Sequence, residues 1–465
     1  MVFIIKLLFL EKKCVLAYTL RRCGCNFFYV NMQYFEIEGG KKLTGEITVN
    51  GSKNAAVAIL AASVMNHGTT TLKNVPQIEE VNRWIEILES IGMEVEKKDK
   101  TLILKSPKSF ILRNINKEAA EKTRSAIMLI SSLSGRHRKY FIPQAGGCKL
   151  GERTIKPHLY ALEDYGIDIV ATNEGFNISA NSLKPADSNV LYESGDTVTE
   201  TAIMAAAQIP GKTVIKMATS NYMVQDLCFF LEKLGVKFKG IGTTTLEIRG
   251  KKKLKKNITY DISEDPIEAM FFLSLAITTK SELTVKRCPI EFLELELLKL
   301  EKMGQKFEIL RKYKSRNKKT KLVDIKMIPS KLKALEDKIH ALPFPGLNMD
   351  NLPFFVPIAM MSSGKTLIHD WVYENRAVYF TELNRLGGNI TLIDSHRVEI
   401  TGPTQLRGAD LMSPPALRPA AIMLVAMIGA KGKSILRGVY SINRGYEDLE
   451  NRLRQIGVDI ALIKE

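Results

Sequence analysis

Gly211-Lys212-Thr213-Val214-Ile215, followed by a polar stretch and a helical run that closes on Leu234-Gly235, is the stretch from which the fold is read. A small or basic turn opens it and a β-run follows. Glycine just past the last apolar position is the expected helix stop. The same unit returns five more times. The copies run from Gly68-Thr69-Thr70-Thr71-Leu72 to Ile91-Gly92, from Lys139-Tyr140-Phe141-Ile142 to Tyr165-Gly166, and from Ser281-Glu282-Leu283-Thr284-Val285 to Met303-Gly304. The last two run from Gly364-Lys365-Thr366-Leu367-Ile368 to Leu386-Gly387 and from Gly432-Lys433-Ser434-Ile435-Leu436 to Ile456-Gly457. The closing glycines stand roughly 70–80 residues apart, longer than solenoid periods, so each unit is a substantial subdomain.

Ahead of each copy lies a second helical stretch, short, rich in small apolar residues and almost uncharged. These are 54–65, 124–133, 200–208, 267–276, 351–361 and 418–428. A helix apolar on every side is a buried one. Each unit therefore reads as strand, buried helix, strand, amphipathic helix, strands, which makes the chain α/β. Six units cannot close around one core, so two domains of three units are expected, with a break near Asp261–Pro266. The buried helices begin with polar residues: Lys53-Asn54, Arg124, Glu200, Asp265 with Glu268, Asp350 and Arg418. Helix N-termini attract anions. If the two domains face each other, these starts meet in one cleft; simple capping is the alternative for Glu200 and Glu268.

At 465 residues, with 45% apolar and 25% charged content, the chain has the composition of an ordinary globular protein of more than one domain. Its net charge of +17 suits an anionic partner: nucleic acid, membrane or a phosphorylated small molecule. Much of the excess is local, in Lys251–Lys256 and Arg311–Lys321, which read as solvated loops. Neither run is interleaved with aromatics as a single-strand platform would be, and no nucleic-acid module is present, so nucleic acid is not an expected partner. No pair of CxxC motifs occurs and the histidines are scattered, which argues against a structural zinc site and fits a reducing cytoplasm. Residues 1–31 read as a disordered extension or a mis-assigned start, because regular patterning begins at Met32. Met1–Leu10 is too short to span a bilayer, and no other segment reads as transmembrane.

Gly146-Gly147-Cys148-Lys149-Leu150-Gly151-Glu152-Arg153 carries a thiol on a glycine-rich loop, with Lys149, Arg153 and Lys156 close behind. Nearby cations lower a thiol's pKa and raise its reactivity. The other reading is a surface turn with an incidental cysteine.

Three motifs together are specific: Val49-Asn50-Gly51-Ser52-Lys53-Asn54-Ala55-Ala56, Gly146-Gly147-Cys148, and Asn443-Arg444-Gly445-Tyr446-Glu447. They resemble the enolpyruvyl transferase family from about Met32 to the C-terminus. Asn54 and Cys148 favour its cell-wall branch over the branch of aromatic amino-acid synthesis. The resemblance implies two inside-out α/β barrels of three repeats each, with the active site in the cleft between them. One barrel is 53–263, carrying the cysteine loop 144–158; the other is 32–52 with 264–465. It implies addition of a hydroxyl of UDP-N-acetylglucosamine to phosphoenolpyruvate with loss of phosphate, the first committed step of peptidoglycan synthesis, without metal or organic cofactor.

By the same resemblance, Cys148 is the general acid and the thiol alkylated by the epoxide antibiotic fosfomycin. Asp350 takes the proton of the sugar hydroxyl. Lys53, Asn54, Arg153 and Arg444 surround phosphoenolpyruvate. Arg124, His158, Val372, Arg376 and Arg418 fall at nucleotide-sugar or other site positions. This is coherent physically, because a substrate with a phosphate and a carboxylate needs several cations, and a cleft lined with one sign concentrates it.

The chain also departs from the family pattern. Lys156 stands where aspartate is usual, Pro266 where arginine is usual and Ala416 where aspartate is usual, and the run 311–321 has no counterpart. These changes leave the phosphoenolpyruvate end nearly intact and alter the acceptor end. Two other readings follow: the same chemistry on another nucleotide sugar, or a non-catalytic paralogue that binds nucleotide sugar.

Overall fold

The computed structural model describes residues 33–146 and 154–464. The expected extension over 1–31 lies outside the described residues, as do Cys148 and Arg153. The chain folds as mixed α/β, and its described residues form five four-stranded sheets and one three-stranded sheet.

The unit around Gly211 shows how each sheet is made. The strand Asn189–Val190 leads into the buried helix Asp196–Ala207, then the strand Gly211–Lys216 runs parallel to it. The amphipathic helix Tyr222–Leu234 follows, its start fixed by the Asn221 side chain, which accepts from the Tyr222 N–H. It stops at Gly235, whose φ of 95° is left-handed and costs glycine little. Strands Lys237–Lys239 and Thr245–Gly250 complete the sheet in antiparallel fashion. The five other closing glycines, 92, 166, 304, 387 and 457, also lie at positive φ, between 74° and 95°. The repeat read from the sequence is thus a repeat of backbone conformation.

Strand pairing crosses the chain in two places. Gln33–Gly39 lies between Gly432–Arg437 and Asp459–Lys464, and Glu46–Thr48 runs parallel to Leu283–Pro289. In return, Ile258–Asp261 runs parallel to Thr69–Lys73. The two crossing segments touch: Ser52 N–H donates to the Ser263 carbonyl at 2.8 Å, and Asp265 N–H to the Asn50 carbonyl at 3.0 Å.

The six apolar helices are buried as their composition requires. All thirteen residues of Pro266–Thr278 are buried. Three helix starts differ from expectation. The helix expected over 200–208 starts at Asp196, because Gly195 takes the extended N-cap conformation and Asp196 puts a negative charge in the first turn. The helices expected from 124 and 351 begin as 3₁₀ turns, Arg124–Met128 and Leu352–Phe354, before becoming α over Leu129–Ser132 and Phe355–Met361. Pro266 sits in the first turn of its helix, where a missing N–H has no cost, and Asp265 caps it by accepting from the Ile267 and Glu268 N–H groups. Ala416 precedes Leu417–Gly429 with no side-chain cap.

The two lysine runs differ from each other. Lys251–Lys256 is largely exposed loop, as expected. The second run is not a loop: it belongs to the hairpin Lys306–Lys314 and Lys321–Ile328. Its tip is docked, with Asn317 Nδ2 donating to Ser263 Oγ at 2.8 Å, to the Asp261 carbonyl at 3.1 Å and to Asp226 Oδ1 at 3.3 Å. Among the described residues no helix is long and apolar enough to cross a membrane, and no cluster of histidine, cysteine or carboxylates is arranged to hold a metal.

Candidate active site

Helix starts from distant parts of the chain meet at one cleft of about 230 Å³. Lys53, Asn54, Arg124, Asp350, Arg376, Arg418 and Arg444 all line it, joined by Glu80, Asp196, Glu200 and Tyr373. The folding reason is local: each apolar helix is sunk in the interior, so its polar first residues are left at the open end.

One side is cationic. Lys53 begins the helix Lys53–Ser63, which Ser52 caps by accepting from the Ala55 N–H. Burial pushes the Lys53 ammonium down from its usual range; Glu80 opposes this, and Arg418 and Arg444 reinforce it. Arg444 holds Glu80 through two N–H donations to Oε2, at 3.2 and 2.8 Å. Thr123 Oγ1 donates to the other Glu80 oxygen. Burial alone would raise the Glu80 carboxyl, but Lys53 and Arg444 outweigh it and hold it below the usual range. Arg418 is 7% exposed. It donates to Tyr446 Oη at 3.1 Å and to Asp350 Oδ2 at 3.3 Å.

Asp350 stands at the centre of this charge. Its Oδ1 lies 3.7 Å from Arg376 Nη1, and its N–H donates to Asn348 Oδ1 at 2.8 Å. Burial favours its neutral form, yet Arg418, Arg376 and Lys53 together pull the carboxyl below the usual range. Arg376 is 1% exposed. It is spent largely on the protein: it donates through Nε to Asp370 and through Nη2 to the Met349 carbonyl at 2.6 Å, and it stacks 4.1 Å from the Tyr373 ring centroid. It therefore braces the segment that carries Asp350.

The same cleft also carries acids. Asp196 accepts from Thr219 Oγ1 at 3.0 Å and from Asn221 Nδ2 at 3.2 Å. Burial raises its carboxyl to about 6, against the pull of those donors. One turn on, Glu200 is 4% exposed, and its Oε1 has no hydrogen-bond partner among the described residues. Burial, then Asp196, push its carboxyl well above the usual range. Glu200 is not a helix cap; it sits in the second turn. Glu268 is no cap either: it accepts from the Asn50 N–H at 2.6 Å and pairs with Arg452 at 2.5 Å.

The remaining expected residues lie apart. His158 is buried in the first turn of Lys156–Glu163, and among the described residues neither ring nitrogen finds a partner. Burial, then Arg124, lower its imidazole to about 4, so it is neutral. Val372 does not line the cleft; it packs against the apolar core beside Tyr373, which does. Lys156 is exposed and also outside the lining. Cys228 and Cys288 are buried with thiols pushed up by burial, so neither is a reactive thiol. Sequence reasoning missed Glu80, Asp196 and Tyr373. Glu80 looks like an ordinary first-turn acid, but the i, i+4 pair Asp196 and Glu200 in a helix with no other charge was a readable signal.

A carboxylate held between two guanidinium groups, beside further cations and reached from five of the six repeated units, suits anionic substrates; the unit with Pro266–Thr278, and with it Asp265 and Glu268, adds nothing to the lining. The chain belongs to the enolpyruvyl (1-carboxyvinyl) transferase family: residues 37–453 match the EPSP synthase (3-phosphoshikimate 1-carboxyvinyltransferase) family. It is 34% identical to the UDP-N-acetylglucosamine 1-carboxyvinyltransferase of Treponema denticola, over 93% of this chain and 99% of that protein. It is 32% identical to UDP-N-acetylglucosamine 1-carboxyvinyltransferase 2 of Caldanaerobacter subterraneus subsp. tengcongensis, over 93% and 100%. Among solved structures it resembles the enolpyruvyl transferase NikO from Streptomyces tendae, with a TM-score of 0.81 at 21% identity over 94% of this chain and all of that one. EPSP synthase from Acinetobacter baumannii matches with a TM-score of 0.73 at 17% identity over 93% and 100%.

Proposed function

We propose that the protein transfers the enolpyruvyl group of phosphoenolpyruvate to a hydroxyl of UDP-N-acetylglucosamine, releasing phosphate, in peptidoglycan synthesis. What carries this reading is the convergence of Lys53, Arg418, Arg444 and Asp350 in one cleft, in a chain aligned nearly end to end with relatives of that name. The sugar hydroxyl oxygen bonds to C2 of phosphoenolpyruvate while Asp350 takes its proton and Cys148 gives one to C3. The tetrahedral intermediate then loses phosphate from C2 and a proton from C3, restoring the double bond.

The electrostatics of the cleft suit these steps. Asp350 starts with its carboxyl held down chiefly by Arg418, which makes it a weak base. An incoming phosphate or carboxylate competes for Arg418 and lifts Asp350 toward the range where it takes a proton. Lys53 and Arg444, with Arg153, neutralise charge on phosphoenolpyruvate, and Asn54 sits next to them. Arg124 and His158 serve the nucleotide-sugar end, and Arg376 positions Asp350. Val372 belongs to the same end through its neighbour Tyr373. The fold is read as two inside-out α/β barrels, 53–263 and 32–52 with 264–465. Support comes from the pairing of residues 33–48 with strands beyond 280, and of Ile258–Asp261 with Thr69–Lys73.

The alternative acceptor reading is favoured by one observation: Ala416 leaves uncapped the helix that carries Arg418, whereas the family pattern has a carboxylate there. Phosphate release from phosphoenolpyruvate is the test, with UDP-N-acetylglucosamine set against a panel of other nucleotide sugars. Release with UDP-N-acetylglucosamine is expected. Release only with another sugar would move the protein to that acceptor, and none at all from folded protein would leave a non-catalytic binder.

A further inference from the structure

The cleft holds the starts of the buried helices; a second depression lies at the other ends of two of them. Lys53–Ser63, and Arg124–Met128 with Leu129–Ser132, run from the cleft toward His67 and Gly135, which both line it. A helix of 11 residues rises about 16 Å, so the depression is remote from Lys53. Lys108, Arg136, His137 and two lysines of the first run, Lys252 and Lys253, surround a cavity of about 400 Å³ there. A neighbouring cavity of about 360 Å³ shares His137 and is walled by Leu112 and Phe141 beside Lys117 and Lys139. Among the described residues no carboxylate lines either cavity.

Cations at helix C-termini are ordinarily explained by the helix dipole, whose negative end attracts them. That account covers Arg136, which donates to the Val64 carbonyl at 3.1 Å and the Pro107 carbonyl at 2.9 Å and stacks 4.3 Å from the Phe110 ring centroid. It does not cover the lysines. Among the described residues Lys108, Lys252 and Lys253 form no ion pair and donate no side-chain hydrogen bond. His67 feels the result: burial, then Arg136, Lys253 and Lys255, push its imidazole down to about 4. Like charges gathered around a concavity repel one another, and an anion placed among them relieves that repulsion. Ammonium groups suit the several oxygens of a phosphate chain. The second cavity adds ring and aliphatic surface within reach of the first, and concavities of this size take a small molecule rather than a membrane face. The lysine run has no aromatic residue of its own; the fold brings Phe141 and His137 beside it.

We propose that the two cavities form a second binding site, remote from the cleft, for a nucleoside polyphosphate, its phosphates among Lys108, Lys252 and Lys253 and its base against Leu112 and Phe141. This site stands independently of the enolpyruvyl-transfer reading.

The test titrates the full chain with ATP, tripolyphosphate and adenosine by calorimetry, without divalent cations. ATP is expected to bind, tripolyphosphate about tenfold more weakly for want of a stacked base, and adenosine not at all. The double variant Lys252→Glu with Lys253→Glu, on an exposed loop, should weaken ATP about a hundredfold, two charge-assisted contacts at about tenfold each. Arg418→Met, altered only in the cleft, should bind ATP as the unaltered protein does. With ATP bound, the His67 ring resonance, identified by its loss in His67→Gln, should titrate at higher pH than in the free protein, because the phosphates favour imidazolium. Failure of ATP to bind the folded protein, equal binding to the double variant, or an unmoved His67 titration would overturn the site. Loss of ATP binding in Arg418→Met would overturn it by placing the nucleotide in the cleft. Tripolyphosphate binding as tightly as ATP would overturn the assignment of the base. Tighter binding of a DNA strand of about 16 nucleotides than of ATP would overturn the proposal in favour of nucleic acid.

Discussion

Asp350 and Asp196 stand in the same cleft, each beside the start of a buried helix, yet their carboxyls are driven in opposite directions. Burial acts on both. At Asp350 it is overcome by Arg418, Arg376 and Lys53; at Asp196 only neutral donors oppose it, and the carboxyl rises to about 6. The difference shows that burial alone does not define a carboxylate's role. The sign of its neighbours decides whether the carboxyl is held below its usual range or pushed above it.

The comparison breaks most sharply at Asp350. Asp350→Asn is expected to lower turnover by about 10²–10⁴-fold, the usual contribution of a positioned general base, with far-ultraviolet dichroism unchanged. Phosphate release measures it, and near-normal turnover would remove Asp350 from the mechanism. Arg418→Met should come next. Without the largest charge holding Asp350 down, the acid limb of the pH–rate profile should move to higher pH. An unshifted limb in this variant would mean that the limb belongs to another group.

Asp196→Asn sharpens the other side through stability. The folded carboxyl is raised above its ordinary value, so the folded state binds the proton more tightly than the unfolded chain does. The stabilisation is present below about 4 and is lost as pH rises through about 6. Asparagine removes that loss, so the variant should gain about 1–3 kcal/mol over the unaltered protein at pH 7.5 and nothing at pH 4. Denaturant midpoints at the two pH values check this; equal midpoints at pH 7.5 would show that Asp196 is not strained.

Asp226 serves as a control outside the cleft. Burial raises its carboxyl to about 6 even though Ser263, Tyr260 and Asn317 donate to it. Asn317→Ala, which removes one donor at the hairpin tip, should cost about 1 kcal/mol and leave both KM values unchanged. A change in KM would instead make the hairpin part of the site.

Much of this was legible from residue pattern. The six glycine stops and the six uncharged helices were readable because chain periodicity and helix capping are local. The polar helix starts were readable for the same reason, and Lys53, Arg124, Asp350 and Arg418 followed from them. Arg376 and Arg444 came through motif resemblance. The role of Arg376 as a brace was not legible, because Asp370, Tyr373 and the Met349 carbonyl commit its guanidinium only in three dimensions. Nor was the hairpin of the second lysine run, whose charges mask the strand alternation and whose tip is anchored by residues from Asp226 to Ser263.

By itself the sequence determined the repeated unit, its α/β character and which helices would be buried, since these depend on interactions within a few turns of chain. It also determined the family, because three motifs survive intact. Only the tertiary structure decided the partners of each charge. That Glu80 belongs to Arg444, that Asp350 is held down by Arg418, and that Glu200 Oε1 finds no donor among the described residues are facts about groups far apart in the chain. Burial and distance set their charge, and neither exists until the sheets have closed.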